Sequence, residues 1–344
     1  MRTPVNTEPG ATPAAPKPAR TQAPDRQETT AERAIEFGLR FVMVWVLIIL
    51  AIVSDFLYPG FFDSGNILNI LSQNAPVGLI AVAMTFVIIA GGFDLSVAAM
   101  LAAGGVAFAS FSNHIPIGLA AIATIALGAV AGSVNGFIVT KMRVNPFIAT
   151  LGTASLYAGG TALYCHSNPI NGDNPNFDFL GTSKWFGVPI SVWVLGVVLV
   201  IGWVVLTKTV YGRTVYAVGG NNEAAKLAGM RVDLVRASTF VLTGVASVIS
   251  GMIVASVTGT ALAGVEAEVT LNSIAIVIIG GTSLLGGEGA MWRTLVGLLI
   301  FGTINNLFDS LAWPTATQQV VLGAIVLGAV SLDAYTRSRR RTGG

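Results

Sequence analysis

The sequence predicts an all-α fold: a polytopic membrane helix bundle of about ten transmembrane helices, with broken or re-entrant Gly-rich segments and an internal pseudo-repeat. Three observations predict it. The first is composition. Of the 344 residues 53% are hydrophobic and 10% charged, with a mean hydropathy of +0.73, whereas a soluble domain carries about 25% charged residues. The second is a series of apolar runs, most of them near the roughly 20 residues that a helix needs to cross a hydrocarbon core. The third is that the cations fall largely on one side of those runs. A net charge of +2 is too small to point to a nucleic-acid partner.

Residues 1–36 hold six of the fourteen prolines, with Ala, Thr and mixed charges. Such a segment buries too little apolar surface to offset ordering entropy and is expected to be a disordered cytoplasmic tail. No short apolar core with a small-residue cleavage site opens the chain, so a signal peptide is not expected. The apolar runs then follow at 38–58, 75–91, 95–112, 116–140, 147–165, 189–207, 236–258, 270–285, 292–311 and 317–334. The second, third and eighth are short and bounded by glycine pairs, which marks them as candidates for broken helices. Pro76, Pro146, Pro189 and Pro314 are expected at span entrances, where a missing N–H costs little. Gly128, Gly132 and Gly136 form a stripe that lets a neighbouring backbone approach the fourth span closely.

The nineteen Lys and Arg test this order of spans. Six lie at or before the first run, two are Lys141 and Arg143, and five fall between Lys208 and Arg236. Arg293, four residues within Arg337–Arg341 and Lys184 complete the set. With both termini cytoplasmic, eighteen of the nineteen are inside and only Lys184 is outside, the positive-inside pattern. An even number of spans is then required.

Two segments echo each other. Val87-Ile88-Ile89-Ala90-Gly91-Gly92-Phe93-Asp94-Leu95-Ser96 and Val277-Ile278-Ile279-Gly280-Gly281-Thr282-Ser283 are each an apolar helix running into glycines and then polar groups. Interrupted helices in duplicated halves are common in transporters. Asp94 is either an ionisable group at membrane depth, a functional candidate by default, or a cap for a helix beginning at Leu95. Glu266 and Glu268 are expected at the outer mouth of the eighth span as solvated charges. Cys165 reads as a small buried apolar residue, and His114 and His166 show no metal-binding spacing, so no metal site is expected.

The loop 208–236 predicts a short helix over 222–228 between two glycine hinges, Gly219-Gly220 and Gly229. Asn222 is its N-cap, Glu223 lies in its first turn, and Ala224, Ala225 and Ala228 form a small face suited to a groove on another protein. Among intramembrane amides and hydroxyls, Asn74, Asn135, Thr150, Asn272, Ser283, Asn305 and Asn306 are candidates for a polar path or for helix-to-helix bonding.

The loop resembles the Glu-Ala-Ala-containing coupling loop of ATP-binding-cassette importer permeases. Gly91-Gly92-Phe93-Asp94-Leu95-Ser96, Asn135-Gly136-Phe137-Ile138-Val139-Thr140-Lys141, Pro146 through Thr153 and Ile279 through Leu284 resemble the ribose/xylose branch of that superfamily, in order from about residue 64 to 334. The sequence departs from relatives at Thr270-Leu271-Asn272, where many carry acids, and at Glu288, where a base is common. The resemblance implies a permease domain over 37–336, followed by a basic cytoplasmic tail at 337–344. It implies a multi-pass protein of the bacterial inner membrane and a permease dimer, with separate ATP-binding subunits that use ATP and Mg and an extracytoplasmic sugar-binding protein. It places coupling to the ATPase at Gly219, Asn222, Glu223, Ala224, Ala225 and Gly229, and adds Asp94 and Ser96 to the candidate translocation path. No lysine follows a glycine, so the chain lacks a Walker A loop. It is therefore expected to bind no cofactor of its own and not to be an enzyme. The competing classes are an ion-coupled secondary sugar transporter, for which Asp94 is the main ionisable candidate, and a passive channel, for which polar stripes are weak.

Overall fold

The fold is read from a computed structural model that describes residues 41–264 and 267–321, with 323, 324, 327 and 328 beyond them. The tail at 1–36, Glu266, half of the expected tenth span and the basic C-terminus lie outside the described residues. The described residues from Met43 onward form one compact unit, and all contacts below belong to it.

Helices account for the apolar runs. They are α1 (Val42–Leu57), α2 (Ser64–Ile89), α3 (Val97–Ser112), α4 (Ile117–Thr140) and α5 (Pro146–Tyr164). The connection from α5 to α7 follows, with β1 (Ile170–Asn171), α6 (Phe179–Thr182), β2 (Lys184–Trp185) and β3 (Val188–Pro189). Then come α7 (Ile190–Lys208), α8 (Val210–Gly220), α9 (Asn222–Leu227), α10 (Val232–Thr258), β4 (Thr260–Ala261), α11 (Ala267–Ile279) and α12 (Met291–Ser310). Helices α2, α4, α7 and α10 are long and apolar enough to cross a membrane, and α1, α3 and α11 are shorter apolar helices. The fold is thus an all-α membrane type, with only two-residue strands among the described residues.

Burial separates inner from outer helices. In the apolar windows of α2 and α10, 78% and 67% of residues are buried, against 22% in α4 and α7. The inner pair carries the main core, including Leu79, Ile80, Met84, Phe240 and Ile253. The outer helices present Ile122, Val130, Val197 and Val200 outward, as a hydrocarbon solvent allows. Pro76 lies inside α2 rather than at its entrance. Proline inside a membrane helix is tolerated where neighbouring helices pack around it; beside it, the Ser250 hydroxyl of α10 donates to the Pro76 carbonyl at 2.7 Å. Pro146 does open α5, one residue after Asn145, whose side chain accepts from the Phe147 N–H.

The glycine stripe of α4 is a seam with α10. A methyl group on Gly128 would sit 2.6 Å from the Gly244 oxygen, one on Gly136 2.8 Å from the Ala237 oxygen, and one on Gly132 would collide with the Phe240 carbonyl. Only glycine lets the two backbones meet at this distance.

The connections sort into two ends. At one, Asn113 and Asn174 bond the α5–α7 connection to the end of α3, β1 pairs antiparallel with β4, and Phe177 stacks on Phe108 with ring centroids 5.2 Å apart. Lys184 stands on this side in the β2–β3 hairpin, turned by Phe186 and Gly187 at φ 51° and 77°. At the other end lie residues 89–96, the α7–α10 connection and residues 280–290. They are joined by a Gly287 N–H to Ile89 carbonyl bond of 2.8 Å and a Tyr216 hydroxyl to Gly289 carbonyl bond of 2.7 Å. Among the described residues, the cation-bearing 208–236 loop therefore meets the two glycine breaks at one end.

Candidate functional site: a buried carboxylate and a surface helix

Both glycine-interrupted helices end in the same way. In α2 the Gly91 N–H donates to Ile88 and the Gly92 N–H to Val87, both at 2.9 Å. After α11 the Gly281 N–H donates to Ile278 at 2.8 Å and the Thr282 N–H to Val277 at 3.2 Å. Gly91 and Gly281 hold φ of 77° and 90°, the left-handed turn of a Schellman ending, which glycine enters without a Cβ penalty. The echo in the sequence is this shared helix ending.

Beyond the first ending, Asp94 has no exposed surface. Its Oδ1 accepts from the Ser96 N–H at 3.0 Å and the Ser96 hydroxyl at 2.6 Å, and from Asn135 Nδ2 at 3.5 Å. Its Oδ2 accepts from the Thr243 hydroxyl at 2.5 Å. Asn135 Nδ2 also donates to Ser96 Oγ at 2.7 Å, while Asn135 Oδ1 accepts from Tyr157 at 3.2 Å. The Leu95 N–H donates to Thr150 Oγ1 at 3.0 Å. The carboxylate thus bonds the segment that leads into α3 to α4 and α10, and α5 reaches it one step removed, through Tyr157 on Asn135 and Thr150 on the Leu95 N–H. Helix α3 starts at Val97, not Leu95, and its N-cap Ser96 makes no side-chain cap bond. Helix α3 thus begins two residues later than the cap reading of Asp94 supposes; the carboxylate accepts two bonds from Ser96 just ahead of that helix, one of them from its backbone N–H, and two from Asn135 and Thr243 on other helices.

The other polar candidates are spread out. Asn74 is buried and donates to its own Ile70 carbonyl. Asn306 and Asn66 exchange amide bonds of 2.9 and 3.2 Å between α12 and α2. Ser283 is buried in the second break and accepts from the Leu285 N–H at 3.2 Å, while Asn272 and Asn305 are half-buried. Glu268 is exposed and bonds Gln319, and Cys165 is buried and free. No group of three metal-ligating side chains occurs among the described residues.

The 208–236 connection is more structured than its sequence indicates. Gly219 and Gly220 end helix α8 instead of forming a hinge, because the apolar face of α8 at Val215 and Val218 packs on Val82, Phe86, Ile89 and Met291. Thr209 caps α8 through the Gly212 N–H. The cap of α9 is Asn221, which accepts from the Ala224 N–H at 2.9 Å. Asn222 is displaced into the first turn, with its Oδ1 buried and without a hydrogen-bond partner. Gly229 does end the helix, at φ 78°.

The small face also divides. Ala225 is buried against the bundle, whereas Glu223, Ala224 and Ala228 are exposed. Leu227, absent from the sequence-based candidates, is 90% exposed. Beside it, Lys141, Lys226, Arg231 and Asp233 line a depression of about 350 Å³, with Lys141 and Asp233 3.8 Å apart. Tyr157 and Thr243 were also missed, since one hydroxyl in an apolar run gives no sign of which helix it faces.

Comparison with known proteins adds identity to this geometry. The chain is 42% identical over 293 residues to a ribose import permease of Bacillus subtilis, covering 83% of this chain and 90% of the relative. It is 38% identical over 301 residues to a ribose import permease of Haemophilus influenzae, with 86% and 93% covered. An L-arabinose transport system permease of Escherichia coli is 34% identical over 308 residues, with 88% and 93% covered. No solved structure matches. Residues 66–330 match a family of transport permease components, which are not enzymes. Family and apolar helices together make this a multi-pass membrane protein, and the chain belongs to the branched-chain amino acid transport system / permease component family.

Proposed function

We propose that the chain is the membrane-spanning permease subunit of an ATP-driven monosaccharide importer, with a pentose as cargo. The observation that carries this reading is the similarity, over more than four-fifths of the chain, to permeases named for ribose and for L-arabinose. Two pentoses recur, although the family description names branched-chain amino acids. The sugar arrives on an extracytoplasmic binding protein. ATP is hydrolysed with Mg by separate subunits that dock on α9, where Glu223, Ala224 and Leu227 are exposed beside the cationic depression.

The protein spans the inner membrane about ten times with both termini cytoplasmic, a sidedness supported by the cation count. Two copies form the conduit. In it the half-buried Asn272 and Asn305 offer amides to sugar hydroxyls, while the buried Asp94, Ser96, Asn135 and Thr150 hold the helices that frame the path. Asn74, Ser283 and Asn306, buried in the single chain, belong to the same frame.

Reconstitution in liposomes with the ATP-binding subunit and binding protein tests this reading. Pentose uptake is expected to require ATP and the binding protein. Uptake that follows a proton or sodium gradient and ignores ATP would establish the ion-coupled alternative instead.

A further inference from the structure

We propose that Gly219, Ile89–Gly91 and Gly286-Gly287 form the transmission point of the transport cycle, delivering a displacement of α9 to the end of α2 and to the loop between α11 and α12 together, with Tyr216 as its positioning residue. The proposal rests on the ATP-driven reading above.

Three backbones meet here with no side chain between them. A methyl group on Gly219 would collide with the Ile89 carbonyl and lie 2.8 Å from the Gly287 nitrogen; one on Gly286 would lie 3.1 Å from Gly91 Cα, and one on Gly287 2.7 Å from Gly220 Cα. The Ile89 carbonyl, left open at the end of α2, is filled by the Gly287 N–H at 2.8 Å. Thus the end of α2 is bonded to the loop that joins α11 to α12, and the end of α8 is pressed against that bond.

Gly219 is not required by its own dihedrals, since it lies within α8 and shows no positive φ. A glycine in a helix costs roughly 1 kcal/mol relative to alanine, so its place is explained by the contact. The path from α9 is short and stiff. Asn221 alone separates the two helices; its side chain caps α9 while its N–H donates to the Ala217 carbonyl of α8 at 3.1 Å. On the far side the Tyr216 hydroxyl donates to the Gly289 carbonyl at 2.7 Å. Burial raises the pKa of this phenol, so it keeps its proton. Touching backbones have no rotamers with which to absorb a shift, and packed interiors are weakly compressible. A movement of α8 must therefore be followed by the end of α2 and the α11–α12 loop or break their contact.

The adjacent glycine supplies a control. A methyl group on Gly220 would meet only Gly287 Cα, at 4.0 Å. The full chain is reconstituted with its ATP-binding subunit and binding protein as wild type, Gly220→Ala, Gly219→Ala and Tyr216→Phe. Retention of the ATP-binding subunit, ATP hydrolysis and sugar moved per ATP are measured on each. Gly220→Ala is expected to match wild type. Gly219→Ala and Tyr216→Phe are expected to keep the subunit and hydrolyse ATP, while sugar per ATP falls by about tenfold and severalfold, the size of an ordinary coupling free energy. An unchanged ratio in both variants overturns the proposal, as does a loss of uptake that only parallels loss of the subunit. If Gly219→Ala fails to fold, Tyr216→Phe decides alone. Wild-type uptake that ignores ATP removes the reading beneath the proposal, a result distinct from a variant that behaves like wild type.

Discussion

Asp94 is held by donors from its own turn and from two other helices, and what replaces it decides which of them lose a partner. In Asp94→Ala the Ser96 and Thr243 hydroxyls and the Asn135 amide lose a buried acceptor, at about 1–3 kcal/mol for each group left unsatisfied. The expected result is a clearly lowered unfolding midpoint of the detergent-solubilised protein. Asp94→Asn is milder, because Thr243 already donates to the Phe240 carbonyl at 2.9 Å and can accept from the new amide. This variant should fold and import sugar near the wild-type rate. A folded Asp94→Asn protein without uptake would instead show that the carboxylate carries a proton. The sequence makes Asp94 visible because a carboxylate beside an apolar run is rare. It hides Thr243, 149 residues away, because a threonine in a helix has a ready partner four residues back, as Thr150 and Thr161 both find.

At the scale of elements, α9 is the piece whose surface matters more than its packing. Leu227 contributes little to the bundle at 90% exposure, so Leu227→Asp is expected to leave the unfolding midpoint within about 0.5 kcal/mol of wild type. The same change should weaken capture of the ATP-binding subunit by about 1–2 kcal/mol, as for an apolar contact residue at an interface. Pull-down with the tagged subunit measures it, and unchanged capture would remove α9 from the interface. The existence of α9 was legible from Asn, Glu and Gly at capping distances. Its inner and outer faces were not. A helix of six residues shows too little periodicity to reveal which alanine turns inward, and two adjacent asparagines compete for one cap. Helix α8 went unseen because its glycine-rich end reads as a hinge, yet the packing of Val215 and Val218 on α2 keeps it helical.

For the whole molecule, the grouping of loops at two ends yields a direct test of sidedness. Cysteine placed at Phe186, 82% exposed at the tip of the β2–β3 hairpin, should react with a membrane-impermeant maleimide added to intact cells. Cysteine placed at Leu227 should react only after the membrane is opened. Cys165, 6% exposed, contributes little background. Labelling of both from outside, or the reverse order, would invert the assignment of the ends. The sequence by itself determined the solvent, the order of helices, the glycine seam on α4 and the two helix breaks. These follow from local hydrophobicity, residue size and the dihedral freedom of glycine. Only the tertiary structure decided that Asp94 bonds across to α4 and α10, that α2 ends against the loop between α11 and α12, and that Gly219 lies against that contact. The reason is physical: such contacts join residues up to 198 positions apart, as Ile89 and Gly287 are, and a hydrogen bond or a backbone contact leaves no periodic trace in either segment that makes it.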